Sequence, residues 1–234
     1  MKDQPLRVML VVPDSNTTME REIRALWPEV TEIHWVGIPR PVRPLVVDDL
    51  PEYGAHAIKA AREAGARHPV DMVIFGCTSA GFLTGPEGDR AMQAALEDAL
   101  GVPAVTTSSS MAERMIDQGV IRPAVVTPYL DATNQGLIRF LSAKGITTSS
   151  LRSLEFKTVY DYLNAQSGPV LDLARVAGQD PHCDGLFVAC TQLPTLEIMD
   201  TLRAELGKPV LGAVASTVWK AQATLAQARA SGER

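Results

Sequence analysis

The chain has 234 residues, 46% of them apolar and 21% charged, with a formal net charge of −5 and a sequence pI near 5.4. That length suits one large α/β domain or two small ones sharing a cleft. The mild acidity, with basic residues scattered and Arg40 and Arg43 the nearest thing to a patch, excludes a nucleic-acid footprint, and the longest apolar runs fall far short of the ~20 residues needed to span a bilayer.

In chain order, residues 6–13 (LRVMLVVP) read as a buried parallel strand closed by proline. They argue for a first strand rather than a signal peptide, which places the chain in the cytoplasm. A helix is predicted over 17–26, behind the N-cap cluster Asp14-Ser15-Asn16 and with Glu20 and Glu22 in its first turns. A second helix covers 49–64. Residues 70–79 (VDMVIFGCTS) form the next strand and its turn, followed by a helix over 88–100. LGVPAV (100–105) looks like a helix end entering a strand. Helices follow at 109–118, 131–144, 168–177, 196–206 and 216–228. Between them lie the strand IRPAVVTP (121–128), the strand and turn CDGLFVACTQ (183–192) and the helix-to-strand passage LGKPVL (206–211). The tail at 230–234 is expected to fray.

Three of these landmarks are repeated. LRVMLVVP and IRPAVVTP lie 115 residues apart. VDMVIFGCTS and CDGLFVACTQ share an Asp, an apolar run and a Cys-Thr pair, with Cys77 and Cys190 113 residues apart and each six residues after its Asp. LGVPAV and LGKPVL form the third pair. The fold class is therefore α/β: two similar flavodoxin-like, parallel-sheet halves, 1–115 and 116–215, related by a pseudo-two-fold axis. The C-terminal helix, 216–228, is expected to pack back onto the first half, and the active site is expected between the halves.

Ligands of open parallel sheets bind at the carboxyl ends of strands. Four strand-to-loop turns carry polar residues there: 13–18, 77–79, 127–129 and 190–192. Three cysteines at positions 77, 183 and 190 match no disulfide framework and are expected to be free thiols. Cys77 and Cys190 each end a strand and precede a Thr and a candidate helix start, where backbone N–H groups favour a thiolate or a carboxylate. Two thiols on opposite faces of one carbon could remove a proton on one side and return it on the other, with no metal or organic cofactor. Thr78, Ser79 and Thr191 read either as donors to a carboxylate or as plain N-caps, and Asn16 reads equally as a site residue or a cap. Cys183, at the start of its strand, reads as structural. Asp71 and Asp184 read as turn caps. His34, His56 and His68 lie outside the turns, and His182-Cys183 has no metal-ligand spacing.

The paired Cys-Thr turns, the halves of about 115 residues and the SNTTME segment (15–20) resemble the aspartate/glutamate racemase superfamily, and within it the maleate cis–trans isomerases and arylmalonate decarboxylases. SNTTME and ACTQLPTL (189–196) look like the isomerase. GCTSAGFLTG (76–85), TPYLDATNQGLIRFL (127–141) and SLRSLEF (150–156) look more like the decarboxylase. The resemblance implies that Cys77 and Cys190 are the catalytic pair and that Asn16 and Tyr129 hold a substrate carboxylate. Thr78, Ser79 and Thr191 would then lie in the turns that grip its oxygens. It also implies a cofactor-independent enzyme acting on a small carboxylate, assembled as a homodimer or larger homo-oligomer.

Two departures bear on the branch. The decarboxylase has Gly where this chain has Cys77, which argues against a pure decarboxylase and for an isomerase or racemase. The isomerase has an apolar run after its first Cys and an Asn in the loop after its fifth strand, where this chain has Thr78-Ser79 and the loop 155–160 (EFKTVY). Either the second carboxylate is held differently here or the substrate is not maleate. The rival readings are an amino-acid or hydantoin-type racemase, an arylmalonate decarboxylase-like enzyme, and a non-catalytic binding protein for a small carboxylate.

Overall fold

In the computed structural model, which describes residues 5–231, the chain forms two four-stranded parallel sheets. The first has β1 (Leu6–Pro13), β2 (Val30–Ile38), β3 (Met72–Phe75) and β4 (Ala104–Thr106) in the order β2-β1-β3-β4. The second has β5 (Pro123–Thr127), β6 (Ser150–Ser153), β7 (Gly185–Val188) and β8 (Val210–Gly212) in the order β6-β5-β7-β8. The orders are the same, so the sequence repeat is a repeat of topology. The helices are α1 (Thr18–Leu26), α2 (Leu50–Gly65), α3 (Thr78–Leu100), α4 (Thr107–Asp117), α5 (Asp131–Ala143), α6 (Val159–Leu163), α7 (Ser167–Gly178), α8 (Met199–Leu206) and α9 (Ala213–Ser231).

The edge strands β2 and β6 and the short α6 escape the sequence reading. β2 alternates exposed and buried positions irregularly, and β6 is half-exposed throughout. Neither shows the continuous apolar run that marks the central strands, which helices cover on both faces.

Each matched landmark has a matched physical job. Asp71 accepts hydrogen bonds from the Arg7 backbone N–H at 2.8 Å and from its guanidinium at 3.1 Å. Asp184 accepts from the backbone N–H groups of Ile121 and Arg122 at 2.9 and 2.8 Å. Both carboxylates thus tie the starting end of a central strand to its neighbour. Gly101 and Gly207 end α3 and α8 with left-handed φ of 67° and 61°. Glycine adopts that conformation without a Cβ penalty, so each chain can turn into the next strand.

The halves exchange side chains. Phe82, from α3, sits in the core of the second sheet beside Leu137 and Phe140. There α3 and α5 come so close that a Cβ on Gly136 would stand 3.1 Å from the Phe82 carbonyl oxygen. In the other direction, Val214, Val218, Ala221 and Leu225 of α9 join Leu6, Val8, Met19 and Ile23 in the core of the first sheet. Each of the larger side chains among them contributes roughly 1.5–3 kcal/mol relative to exposure. Lys220 pairs with Glu113 of α4 at 2.6 Å. The C-terminal helix therefore packs on the first sheet. Residues 230 and 231 of the expected frayed tail continue α9, and 232–234 lie outside the described residues.

Candidate active site

The carboxyl ends of both sheets open on one narrow cleft. All seven site residues expected from the sequence line it: Asn16, Cys77, Thr78, Ser79, Tyr129, Cys190 and Thr191. Both thiols are buried, 4% exposed at Cys77 and 6% at Cys190.

The two cysteine turns are built differently. Cys77 is the N-cap residue of α3, with extended φ/ψ of −114° and 90°. The helix starts at Thr78, ten residues earlier than the periodicity indicates, because Gly85 (φ 74°) and Pro86 break it and make its first turns read as loop. Cys190, in contrast, does not precede a helix. Residues 191–198 form turns, and α8 begins only at Met199. The expected helix N-terminus is therefore present beside one thiol and absent beside the other. Cys190 itself takes a left-handed φ of 91°, a conformation that costs a non-glycine residue about 1–3 kcal/mol.

A hydrogen-bonded chain locks the turns together. Asn16 Oδ1 accepts from the Thr18 and Met19 N–H groups at 3.2 and 3.1 Å, which caps α1 and fixes the orientation of the amide. Its Nδ2 then donates to Thr191 Oγ1 at 2.9 Å, and Thr191 Oγ1 donates to the Gly76 carbonyl at 2.9 Å. The residue before Cys77 is thereby tied to the residue after Cys190. The Asn16 amide has one further N–H beyond this bond, and the residue lines the cleft. Gln192 Nε2 reinforces the joint by donating to the Ser15 carbonyl at 2.6 Å.

Asn16 and Thr191 are thus caps and ties as well as cleft-lining groups. Thr78 and Tyr129 share a hydroxyl–hydroxyl hydrogen bond of 2.7 Å, also across the halves. Ser79 Oγ lies 3.7 Å from Cys77 Sγ.

Electrostatics separates the buried groups. Burial pushes the Cys190 thiol up. The Gln192 N–H, 3.5 Å from Sγ, and the Tyr129 hydroxyl pull the other way but do not prevail. The turn amides favour the Cys190 thiolate in the expected sense, but desolvation outweighs them. Burial raises Tyr129 well above the usual phenol range, and the neighbouring Cys190 adds to this, so its hydroxyl stays neutral and able to donate.

Sequence reasoning assigned no site role to four residues, Gln192 among them although its turn was singled out. Arg40 and Gln192 line the cleft, and so does Tyr162, whose hydroxyl is raised by burial and then by Cys190. Tyr53 of α2 is raised by burial and then by the nearby Cys77. Tyr53 lies in α2 after β2, and Tyr162 in the short α6 after β6; both edge strands went unrecognised.

The remaining expectations fall outside the cleft. Cys183 is buried against the Gly178 carbonyl at 3.7 Å and accepts from Lys208 Nζ at 3.2 Å. His34 stacks on His68 with ring centroids 4.7 Å apart. Among the described residues no cluster of three or more His, Cys, Asp or Glu side chains is arranged to ligate a metal, and no helix is long and apolar enough to cross a membrane.

Two parallel sheets of one topology, with a thiol beyond the end of a central strand in each and a single polar cleft between them, define a class: a duplicated α/β protein with paired cysteines. The model of the arylmalonate decarboxylase family matches residues 8–234, and the chain belongs to that family, within the aspartate/glutamate racemase-like superfamily. It is 29% identical over 145 residues to an arylmalonate decarboxylase of Bordetella bronchiseptica, a match that spans 62% of this chain and 60% of that protein. It is also 29% identical over 217 residues to a maleate isomerase of Nocardia farcinica, covering 88% of this chain and 85% of the relative. The crystal structure of the maleate isomerase Iso from Pseudomonas putida S16 superposes with a TM-score of 0.85 over 95% of this chain and 94% of that one, at 23% identity, and so shares the fold.

Proposed function

We propose that the protein is a cofactor-independent, cysteine-dependent cis–trans isomerase of a small dicarboxylate, with maleate as the substrate the relatives favour. One observation carries the reading: one cleft is lined by two buried thiols, one from each half, together with Thr78, Ser79, Tyr129 and Asn16.

In the proposed reaction, Cys77 adds as a thiolate to one alkene carbon of maleate. The electron pair moves into the adjacent carboxylate, which the neutral Tyr129 hydroxyl, the Asn16 amide and the turn N–H groups stabilise. Cys190, held as a thiol by its burial, gives its proton to the neighbouring carbon. The former double bond is now single and rotates. Cys190 takes a proton back, the carbon–sulfur bond breaks, and fumarate leaves with Cys77 again a thiolate. Thr78, Ser79 and Thr191 serve as binding residues in this scheme. The two halves, 1–115 and 116–215, each supply one thiol.

Incubation with maleate, followed by NMR for fumarate, tests the activity. Wild-type conversion that is lost in folded Cys77→Ala and Cys190→Ala variants supports the reading. A folded double Ala variant with normal activity refutes it.

The family match favours a second reading, decarboxylation of an arylmalonate with Cys190 as the sole proton donor. That reading requires the Cys77→Ala variant to keep its turnover. A two-base racemase would instead wash solvent deuterium into the α-carbon of recovered substrate. The acidic chain and its free thiols fit a reducing, cytoplasmic setting. Homo-oligomerisation, which the family analogy supports, is tested by light scattering.

A further inference from the structure

Arg40 stands apart from the other basic residues around the site. It follows β2, lines the cleft with both thiols, and lies with its guanidinium carbon 5.4 Å from the centroid of the Tyr162 ring. The contact is held from both sides: the Val159 N–H at the start of α6 donates to the Val42 carbonyl at 2.7 Å, pinning the Arg40 loop of one half to the tyrosine helix of the other. The Tyr162 hydroxyl in turn lies within electrostatic range of Cys190, Arg40 and Cys77.

The guanidinium is poorly satisfied. Nη2 reaches the Arg43 carbonyl at a long 3.4 Å, and the buried Nε–H has no acceptor. Among the described residues no carboxylate pairs with it. Three residues on, Arg43 shows the opposite: both of its terminal nitrogens are spent on Asp49, at 2.6 and 2.8 Å. A buried N–H without a partner is costly, and a guanidinium stacked on an aromatic ring keeps its edge free for a planar two-oxygen acceptor.

We propose that Arg40 is the specificity-determining residue that receives the second carboxylate of the substrate, stacked on Tyr162 and presenting its edge to the anion. This rests on the dicarboxylate reading above and deepens it. The loop 155–160 has no Asn for that carboxylate, and the charge comes instead from the opposite half. A dicarboxylate fills the Tyr129–Asn16 end of the cleft with one group and the Arg40 end with the other. A monocarboxylate of the same length leaves Arg40 unpaired.

The test uses unreactive ligands, so it does not depend on turnover. Calorimetry compares succinate with butyrate on the wild-type protein, Arg40→Gln and Arg40→Lys. Wild type is expected to prefer succinate by about 10- to 100-fold, the worth of a charge-assisted paired contact. Arg40→Gln should bring that preference within a few-fold while butyrate binding stays unchanged, which also reports an intact cleft. Arg40→Lys should be intermediate, having the charge but not the fork. If Arg40→Gln does not fold, a reduced succinate preference in Arg40→Lys carries the test. A succinate preference that survives in both variants, or is absent from wild type, overturns the proposal. Maleate turnover with KM unchanged in Arg40→Gln would overturn it and leave the isomerase reading standing. Arg40-dependent succinate binding without maleate turnover would do the reverse.

Discussion

The Asn16 amide donates to the Thr191 hydroxyl at 2.9 Å, across 175 residues of chain. Because Thr191 passes the interaction on to the Gly76 carbonyl, this contact sets the spacing of the two thiol-bearing turns. Thr191→Val removes both links while keeping the shape of the side chain. It should destabilise the protein by about 1–3 kcal/mol, since it leaves a buried carbonyl unpaired. A double-mutant cycle with Asn16→Ala, read by urea denaturation, should return a coupling energy of about 1 kcal/mol. Independent, additive losses would show that the chain is not one unit.

Cys190 should also set a basic limit on activity. Its thiol is pushed up by burial, and the reaction needs it protonated at the start. The kcat/KM profile should therefore fall as pH rises through the elevated thiol value. Alkylation of Cys190 by iodoacetamide should be slow at pH 7 and accelerate over that same alkaline range. Cys77→Ala and Cys190→Ala should each lower turnover by about 10²–10⁴-fold. Fast alkylation of Cys190 at neutral pH, mapped by mass spectrometry, would contradict the assignment.

Glu22 of α1 is buried and accepts from the Thr195 and Leu196 N–H groups at 2.8 and 3.0 Å and from the Thr195 hydroxyl at 3.1 Å. Desolvation still raises its pKa above the ordinary carboxylate value. Between the ordinary and raised values the folded state holds more protons than the unfolded one. Stability should therefore fall as pH rises through that window. Glu22→Gln should remove this slope in thermal melts followed from mildly acid to neutral pH. Glu22→Ala should cost about 2–4 kcal/mol, because it strands the buried Thr195 amide and the partly buried Leu196 amide.

The paired helix ends offer a backbone test. Gly101 and Gly207 both hold left-handed φ with open space where a Cβ would stand, so only backbone strain opposes a side chain. Ala at either position should cost about 1 kcal/mol, and the two losses should be additive because each glycine closes a separate strand entry. A stabilising effect in chemical denaturation would contradict the conformational assignment.

Much of the architecture is legible as repeated local chemistry. Asp71 and Asp184, the Cys-Thr pairs and the two Leu-Gly-x-Pro passages mark equivalent strand starts, turns and helix ends, because each such job restricts residue type within a few positions. The edge strands β2 and β6 escape this reading. Exposed on one side, they carry no continuous apolar run, and the tyrosines that follow them, Tyr53 and Tyr162, go unnoticed with them.

The sequence alone determined that two α/β repeats carry a cysteine each at the carboxyl end of a strand, and that hydroxyl residues accompany them. Those facts depend on apolar periodicity and short motifs, which are local. Only the tertiary structure decided that the two cysteine turns differ, with a helix behind Cys77 and none behind Cys190, and that burial outweighs the amides at Cys190. It also decided that Arg40 of one half stacks on Tyr162 of the other. Those outcomes depend on desolvation and on contacts between residues more than a hundred positions apart, and local sequence carries no record of either.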